Sequence, residues 1–326
     1  MFGPGFRQGG GRRRRLPGRG HQGRGARAAD PRLDRRRRLL GIPGGQTPAG
    51  GGGAAPNVFG RGAFVSPRTP LLVANWKMYK TVAESRVWAE RFREAALREG
   101  LGQGRELVVA PTAPSLWVVA TALDGTGVGV AAQNLDLGVE GALTGAVSGY
   151  LLRQAGAEWV VLGHSERRQH FGESDQLVAE KVLAAVEAGL EPIVCIGETE
   201  EEHRAGKTQE RLLQQLSPVV AAAGPERWPG LVIAYEPVWA IGSGRTPTPE
   251  VIDEIAGSLR SWLGQQLPGV GAATRILYGG SVNEQNLASF WSLEHIDGAL
   301  VGGASLDVER FVTMAKTPLG AKEERR

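Results

Sequence analysis

The sequence predicts a closed (β/α)8 barrel, a single α/β domain preceded by a disordered N-terminal extension. Three observations predict it. Short apolar runs alternate eight times with amphipathic segments between residues 71 and about 315. Most of these runs are continuously apolar, as parallel strands covered on both faces are. The span, about 245 residues, is the usual size of eight strand–helix units built into one barrel.

Taken in order, a strand is expected over 71–75 and a helix over 81–98, then strand 106–110 with helix 114–122 and strand 127–132 with helix 147–155. Strand 158–162 is followed by a helix at 174–188, which Ser174 opens and Gly189 ends, and strand 191–196 by a helix at 203–221. Strand 231–235 leads to a helix at 248–264, opened by Thr248-Pro249 as N-cap and first-turn proline. Strand 275–278 with helix 283–291, and strand 297–301 with helix 305–315, complete the eight units. The alternative, a doubly wound open sheet, would want a phosphate loop after its first strand, and this strand ends in Asn75-Trp76-Lys77 instead.

Composition changes sharply near residue 70, dividing the chain into a Gly/Arg/Pro-rich extension (1–69), a catalytic barrel (70–318) and a charged tail (319–326). Residues 1–70 carry 15 Arg against two Asp, a net charge of +13, while the remainder carries 23 basic against 32 acidic residues, or −9, giving the overall +4. The basic pI therefore belongs to the extension. With few large apolar residues and runs such as Arg12-Arg13-Arg14-Arg15, the extension cannot bury enough surface to offset chain entropy, and disorder is expected. Arg/Gly runs also bind phosphate backbones without sequence preference, so a nucleic-acid-binding extension is the competing role for this segment. Its composition also fits a GC-rich upstream region read as protein, with an alternative start at Val65. The single cysteine, Cys195, lies in an apolar run; it excludes an intrachain disulfide and fits a reducing compartment, so the cytoplasm is the expected location. No apolar run is long enough to span a membrane.

Barrel enzymes place their chemistry at the C-terminal ends of the strands. Those ends carry Asn75 and Lys77, Gln133-Asn134, Gly163-His164-Ser165-Glu166-Arg167-Arg168, Glu236, Gly279-Gly280-Ser281 and Gly302-Gly303. The two glycine-rich turns each lead from a strand into a helix, where backbone N–H groups can approach an anion closely; in barrels these two loops are the usual phosphate grip. Glu236 is the natural base, and the loop after it, Pro237 to Arg245, has a rigid start and a Gly-Ser-Gly bend, the pattern of a hinged lid. His164 beside a helix N-terminus is disfavoured as imidazolium and can polarise a carbonyl as a neutral donor. Lys77 supplies positive charge and Asn75 a neutral donor. No metal-ligand spacing and no redox-cofactor motif is present, so metal ligands and cofactors are expected to be none. The chemistry open to this set is proton abstraction beside a carbonyl on a phosphorylated substrate.

The segments Ala74-Asn75-Trp76-Lys77-Met78, Gly163-His164-Ser165-Glu166-Arg167-Arg168, Ala234-Tyr235-Glu236-Pro237-Val238-Trp239-Ala240-Ile241-Gly242, Tyr278-Gly279-Gly280-Ser281-Val282 and Leu300-Val301-Gly302-Gly303-Ala304-Ser305-Leu306 resemble, in order, the signature segments of the triosephosphate isomerase family. The resemblance covers residues 71 to about 315, not the extension. It implies the TIM-barrel fold and a cofactor-independent isomerase of glycolysis and gluconeogenesis, interconverting dihydroxyacetone phosphate and D-glyceraldehyde 3-phosphate. It implies that Glu236 shuttles the proton, that neutral His164 serves both oxygens of an enediolate, and that Lys77 and Asn75 stabilise its charge, with Ser165 and Glu166 in support. Backbone groups at Gly242, Ser281, Gly302 and Gly303 would hold the phosphate, under a lid at 237–245. It further implies a homodimer through loop 133–146. Two positions depart from the family pattern. Ala146 stands where an acid usually pairs with the partner's arginine at the position of Arg167, and Arg245 replaces a lysine at the end of the lid.

Overall fold

A computed structural model describes residues 68–241 and 246–319. The expected disorder of the extension, the Val65 start, most of the charged tail and the positions Gly242 and Arg245 lie outside the described residues. Eight strands, β1 (Leu71–Asn75), β2 (Glu106–Ala110), β3 (Gly129–Ala132), β4 (Trp159–Leu162), β5 (Glu191–Ile196), β6 (Val232–Tyr235), β7 (Arg275–Tyr278) and β8 (Gly298–Val301), each pair in parallel with the next. β8 returns to β1, with Leu71 opposite Gly298 and Ala74 opposite Val301, and closes the barrel. Four strands have the bounds expected from the sequence, and the other four start one or two residues later.

The helices are α1 (Val82–Glu99), α2 (Leu116–Leu123), α3 (Gly149–Gln154), α4 (Ser165–Phe171), α5 (Asp175–Glu187), α6 (Glu200–Arg204), α7 (Thr208–Arg227), α8 (Pro249–Gln266), α9 (Leu287–Trp291) and α10 (Val308–Lys316). Two differences from the sequence expectation bear on the site. α4 stands directly after β4 and supplies the helix N-terminus expected beside His164, although the apolar pattern placed no helix range before residue 174. The helix expected at 203–221 is two: α6, opened by a capping box between Thr199 and Glu202, and α7, separated from α6 by Gly206 at φ +69°. Similarly, the last two helices begin later than expected, α9 at Leu287 and α10 at Val308, the latter capped by Asp307, whose side chain accepts from the Arg310 N–H. Ser174 caps α5 through the Leu177 N–H, as the sequence suggested.

Strand residues alternate between two buried layers. Leu71 and Val73 of β1, Ile193 and Cys195 of β5, and Val232 and Ala234 of β6 fill the barrel interior. Their neighbours Leu72, Ala74, Val194, Ile196, Ile233 and Tyr235 pack outward against the helices. Both faces are apolar because both are covered, which is why the runs look continuous in the sequence. This alternation aims the residues that follow. Asn75 continues the inward set of β1 and Glu236 the inward set of β6, so both arrive over the mouth of the barrel.

Candidate active site

The strand ends converge on a cleft of about 380 Å³. Asn75, Lys77, His164, Glu236, Ser281, Gly302 and Gly303 all line it, so every residue the sequence assigned to catalysis or phosphate binding, Gly242 apart, meets at one place. Ser165 and Glu166, the first two residues of α4, stand behind His164.

His164 reaches the cleft because of Gly163. Gly163 adopts φ +67°, and a Cβ on it would lie 2.9 Å from both Arg168 Nη2 and Val178 Cγ1. The turn swings the chain out of the strand and makes His164 the N-cap of α4. Its Nδ1 accepts the Glu166 backbone N–H at 3.2 Å, and its Nε2 lies 3.2 Å from Glu236 Oε1. An Nδ1 that accepts carries no proton, so the geometry describes a neutral ring with its proton on Nε2, facing Glu236. Burial also opposes the imidazolium, but the Glu236 charge and the hydrogen bond to it outweigh burial and raise His164 from its ordinary value. The two influences disagree only while Glu236 lies against Nε2. We take the neutral ring as its state, because the backbone contact at Nδ1 does not depend on what occupies the cleft.

Glu236 is buried, and its Oε2 has no hydrogen-bond partner among the described residues. An unpartnered carboxylate oxygen in an interior is costly, which fits an atom kept for an incoming group. Beneath it, burial first and then the nearby Glu236 carboxylate push the Cys195 thiol well above its ordinary value, so Cys195 is an inert neighbour.

Lys77 sits in the left-handed region at φ +52°, a strained conformation for a residue with a side chain. Three contacts hold it there. Its N–H donates to Asn75 Oδ1 at 3.1 Å, its carbonyl accepts from Gln133 Nε2 at 2.8 Å, and its Nζ pairs with Glu166 Oε1 at 2.6 Å. Burial acts to raise Glu166, but the hydrogen bond from Lys77 and the Lys77 charge oppose it, and that carboxyl lies below its ordinary value.

Sequence reasoning placed Gln133 at a strand end and gave it no task. Its amide also donates to the Ala110 carbonyl at 2.9 Å, so it ties the ends of β1 and β2 together from β3. Glu198 was missed altogether. It is fully buried two residues past β5, and its Oε1 takes the Trp239 indole N–H at 2.8 Å and the Tyr235 hydroxyl at 3.2 Å. Burial pushes its carboxyl upward. Glu198 thereby anchors Trp239, in the first part of the segment read as a lid. The Ser281 hydroxyl donates to the Ala240 carbonyl at 2.9 Å and links the same segment to the loop after β7.

The glycines have a reason that the phosphate reading did not supply. A Cβ on Gly279 would lie 2.6 Å from Glu236 Cγ, and one on Gly280 would lie 2.1 Å from the Tyr278 hydroxyl. Close packing against the carboxylate and the strand therefore demands glycine at both. Gly303 is different: a Cβ there would meet nothing within 4 Å, so its lack of a side chain leaves the cleft open. At Ala146, where the sequence lacks an acid for Arg167, the arginine finds a partner in its own chain. Arg167 Nε pairs with buried Glu173 at 2.7 Å, and Glu173 also holds Lys181 Nζ at 2.6 Å.

Among the described residues, no group of three or more His, Cys, Asp or Glu side chains is arranged to hold a metal, and no helix is long and apolar enough to cross a membrane. Fold and cleft together define a class: closed (β/α)8 barrels that gather a carboxylate, an imidazole and a lysine at the C-terminal mouth beside two glycine-rich loops. The family model described as triosephosphate isomerase matches residues 70–317. Similar relatives include the triosephosphate isomerase of Symbiobacterium thermophilum, 45% identical over 78% of this chain and 99% of the relative. The Aquifex aeolicus enzyme is 44% identical over 74% and 96%, and that of Haemophilus influenzae 40% identical over 78% and 99%. The chain belongs to the triosephosphate isomerase family, the isomerases that interconvert dihydroxyacetone phosphate and D-glyceraldehyde 3-phosphate.

Proposed function

We propose that this isomerase carries out the interconversion with Glu236 as the only base. Glu236 takes a proton from the carbon beside the substrate carbonyl, and the electron pair moves onto the carbonyl oxygen to give an enediolate. The same carboxyl, now protonated, returns the proton to the adjacent carbon. His164 gives its Nε2 proton to the oxygen that gains the charge and takes the hydroxyl proton from the other, so the ring ends neutral and the second carbonyl can form; a substrate between it and Glu236 separates the pair and removes the influence that raises its basicity. Lys77 and Asn75 offset the negative charge on the oxygens. The phosphate lies against the backbone at Ser281, Gly302 and Gly303. The observation that carries this reading is the Glu236 carboxylate, with one buried oxygen unpartnered among the described residues, in the lining of a single cleft that His164, Lys77 and the two glycine loops also line.

The reading extends to the assembly and its surroundings. Loop 133–146 presents Val139 and Leu143 to solvent, and Met78 and Phe171 are also exposed. These positions are joined from below: Lys77 to Gln133 by one hydrogen bond, then Asn134 to Lys181, Lys181 to Glu173 and Glu173 to Arg167. An exposed apolar surface on such a framework suits a second copy of this chain, giving a homodimer. The absent acid at Ala146 weakens it little, because Arg167 is already paired. We place the enzyme in the cytoplasm.

A coupled assay of the full chain in both directions, with sedimentation at micromolar protein, tests these points together. The expected result is triose phosphate isomerisation by a dimer. No isomerisation would overturn the catalytic reading, and a fully active stable monomer would overturn the assembly.

The N-terminal extension has no part in this chemistry. A chain of residues 65–326 is expected to match the full chain in activity and melting temperature. That cut keeps Arg68, which pairs with Asp297 and donates to the Glu294 carbonyl. A clear loss of either property would show that residues before 65 dock on the barrel, and a salt-sensitive shift with single-stranded RNA, confined to the full chain, would support a nucleic-acid role for them instead.

A further inference from the structure

Among the described residues, two cationic side chains line the cleft. Lys77 is the first; the second, Arg310, has been given no task. Arg310 stands in the first turn of α10, beyond the Gly302-Gly303 loop. Its partner Glu284 comes from the loop after β7, three residues past Ser281. Arg310 Nε and Nη2 both reach the Glu284 carboxylate, at 2.9 to 3.0 Å, in a two-pronged pair. Nη1 has no partner among the described residues. The guanidinium is half-exposed, and Asn283, the neighbour of Glu284, lines the cleft beside it. The pair therefore spans the mouth between the two loops that the isomerase reading assigns to phosphate.

We propose that Arg310 is a specificity-determining residue, whose charge draws the substrate's phosphate to the mouth of the cleft and favours doubly charged over singly charged or neutral substrates. Glu284 aims the guanidinium and moderates its field. A planar fork fixed by two hydrogen bonds presents its remaining edge in one direction, which suits an anion better than a mobile lysine would. This inference rests on the reading of the cleft as a triose phosphate site. It competes with a plainer one, in which the pair is a tie that holds two loops at a fixed spacing.

The two predict opposite signs for one comparison. In the full chain, Arg310→Gln removes a charge from the mouth, whereas Glu284→Gln removes the charge that offsets Arg310. If Arg310 acts on the anion, Arg310→Gln raises KM for triose phosphate and the inhibition constant of inorganic phosphate by about three- to fivefold, with a smaller change in kcat. Glu284→Gln lowers both constants, and the differences shrink as salt is raised. Melting temperatures report whether either variant has lost its fold. Constants equal to wild type in Arg310→Gln, or a loss of affinity of the same size in both variants, would overturn the proposal. Wild-type protein that isomerises but is not competitively inhibited by phosphate would overturn it also, and would leave the base assignment standing. Wild-type protein without isomerase activity would instead bring down the reading of the cleft on which the proposal rests.

Discussion

Glu236→Gln is expected to fold as the wild type does and to isomerise at least about a hundredfold more slowly. The amide keeps the shape of the side chain in its packed place against Gly279, and Cys195 beneath it remains neutral. It cannot accept a proton from carbon, and among the described residues no other carboxylate lines the cleft. Glu166, the other carboxylate the sequence assigned to the site, is held below its ordinary value by Lys77 and is therefore a weak base. Steady-state rates on both triose phosphates, with a thermal melt to show that the fold survives, decide the matter. If the variant keeps more than about a tenth of the wild-type rate, a second base is at work.

Gly197→Ala is expected to lower the melting temperature by several degrees and to cut kcat by at least about tenfold, through a residue that never meets the substrate. A Cβ at this position would lie 1.8 Å from the Glu236 carbonyl oxygen and 2.7 Å from its carbonyl carbon. The obstacle is backbone, so no side-chain rotation relieves it. Retreat is blocked as well. The Gln215 side chain holds the Gly197 N–H and carbonyl from behind at 2.8 and 3.0 Å, and the Glu236 N–H is tied to the Ile196 carbonyl at 2.7 Å. The strain must then move Glu236 itself, and a carboxylate displaced by a fraction of an ångström loses its alignment with the reacting carbon. A variant with unchanged melting temperature and unchanged kcat would show that β5 and β6 can part without cost.

Much of this was legible in the sequence, for reasons that can be located. Strand positions are plain because each strand is buried on both sides and reads as an apolar run. The same property hides the facing: Leu71 and Leu72 look alike on paper, yet one lies inside the barrel and the other under the helices. The short helices α4 and α6 escaped because five to seven residues give no period to detect. The Thr199–Glu202 capping box was a local sign of α6 that periodicity alone does not use. Gln133 and Glu198 are a different case. Their partners are brought near by barrel closure, and nothing in their own neighbourhoods names Lys77 or Trp239. The Gly279-Gly280 pair is a third case, in which a pattern associated with anions is also what the crowding of Glu236 and Tyr278 requires.

The pairing of β8 with β1 has a consequence for how the enzyme comes into being. The seam joins strands more than two hundred residues apart, and it runs straight through the cleft, with Asn75 and Lys77 on one bank and Gly302 and Gly303 on the other. During synthesis Lys77 leaves the ribosome early, yet the loops facing it are among the last parts of the barrel to be made. No partly made chain holds a complete site. Contacts of such long reach form late and slowly, so activity is acquired in a final closing event rather than by degrees. Recovery of activity after dilution from denaturant should therefore lag behind the return of helix.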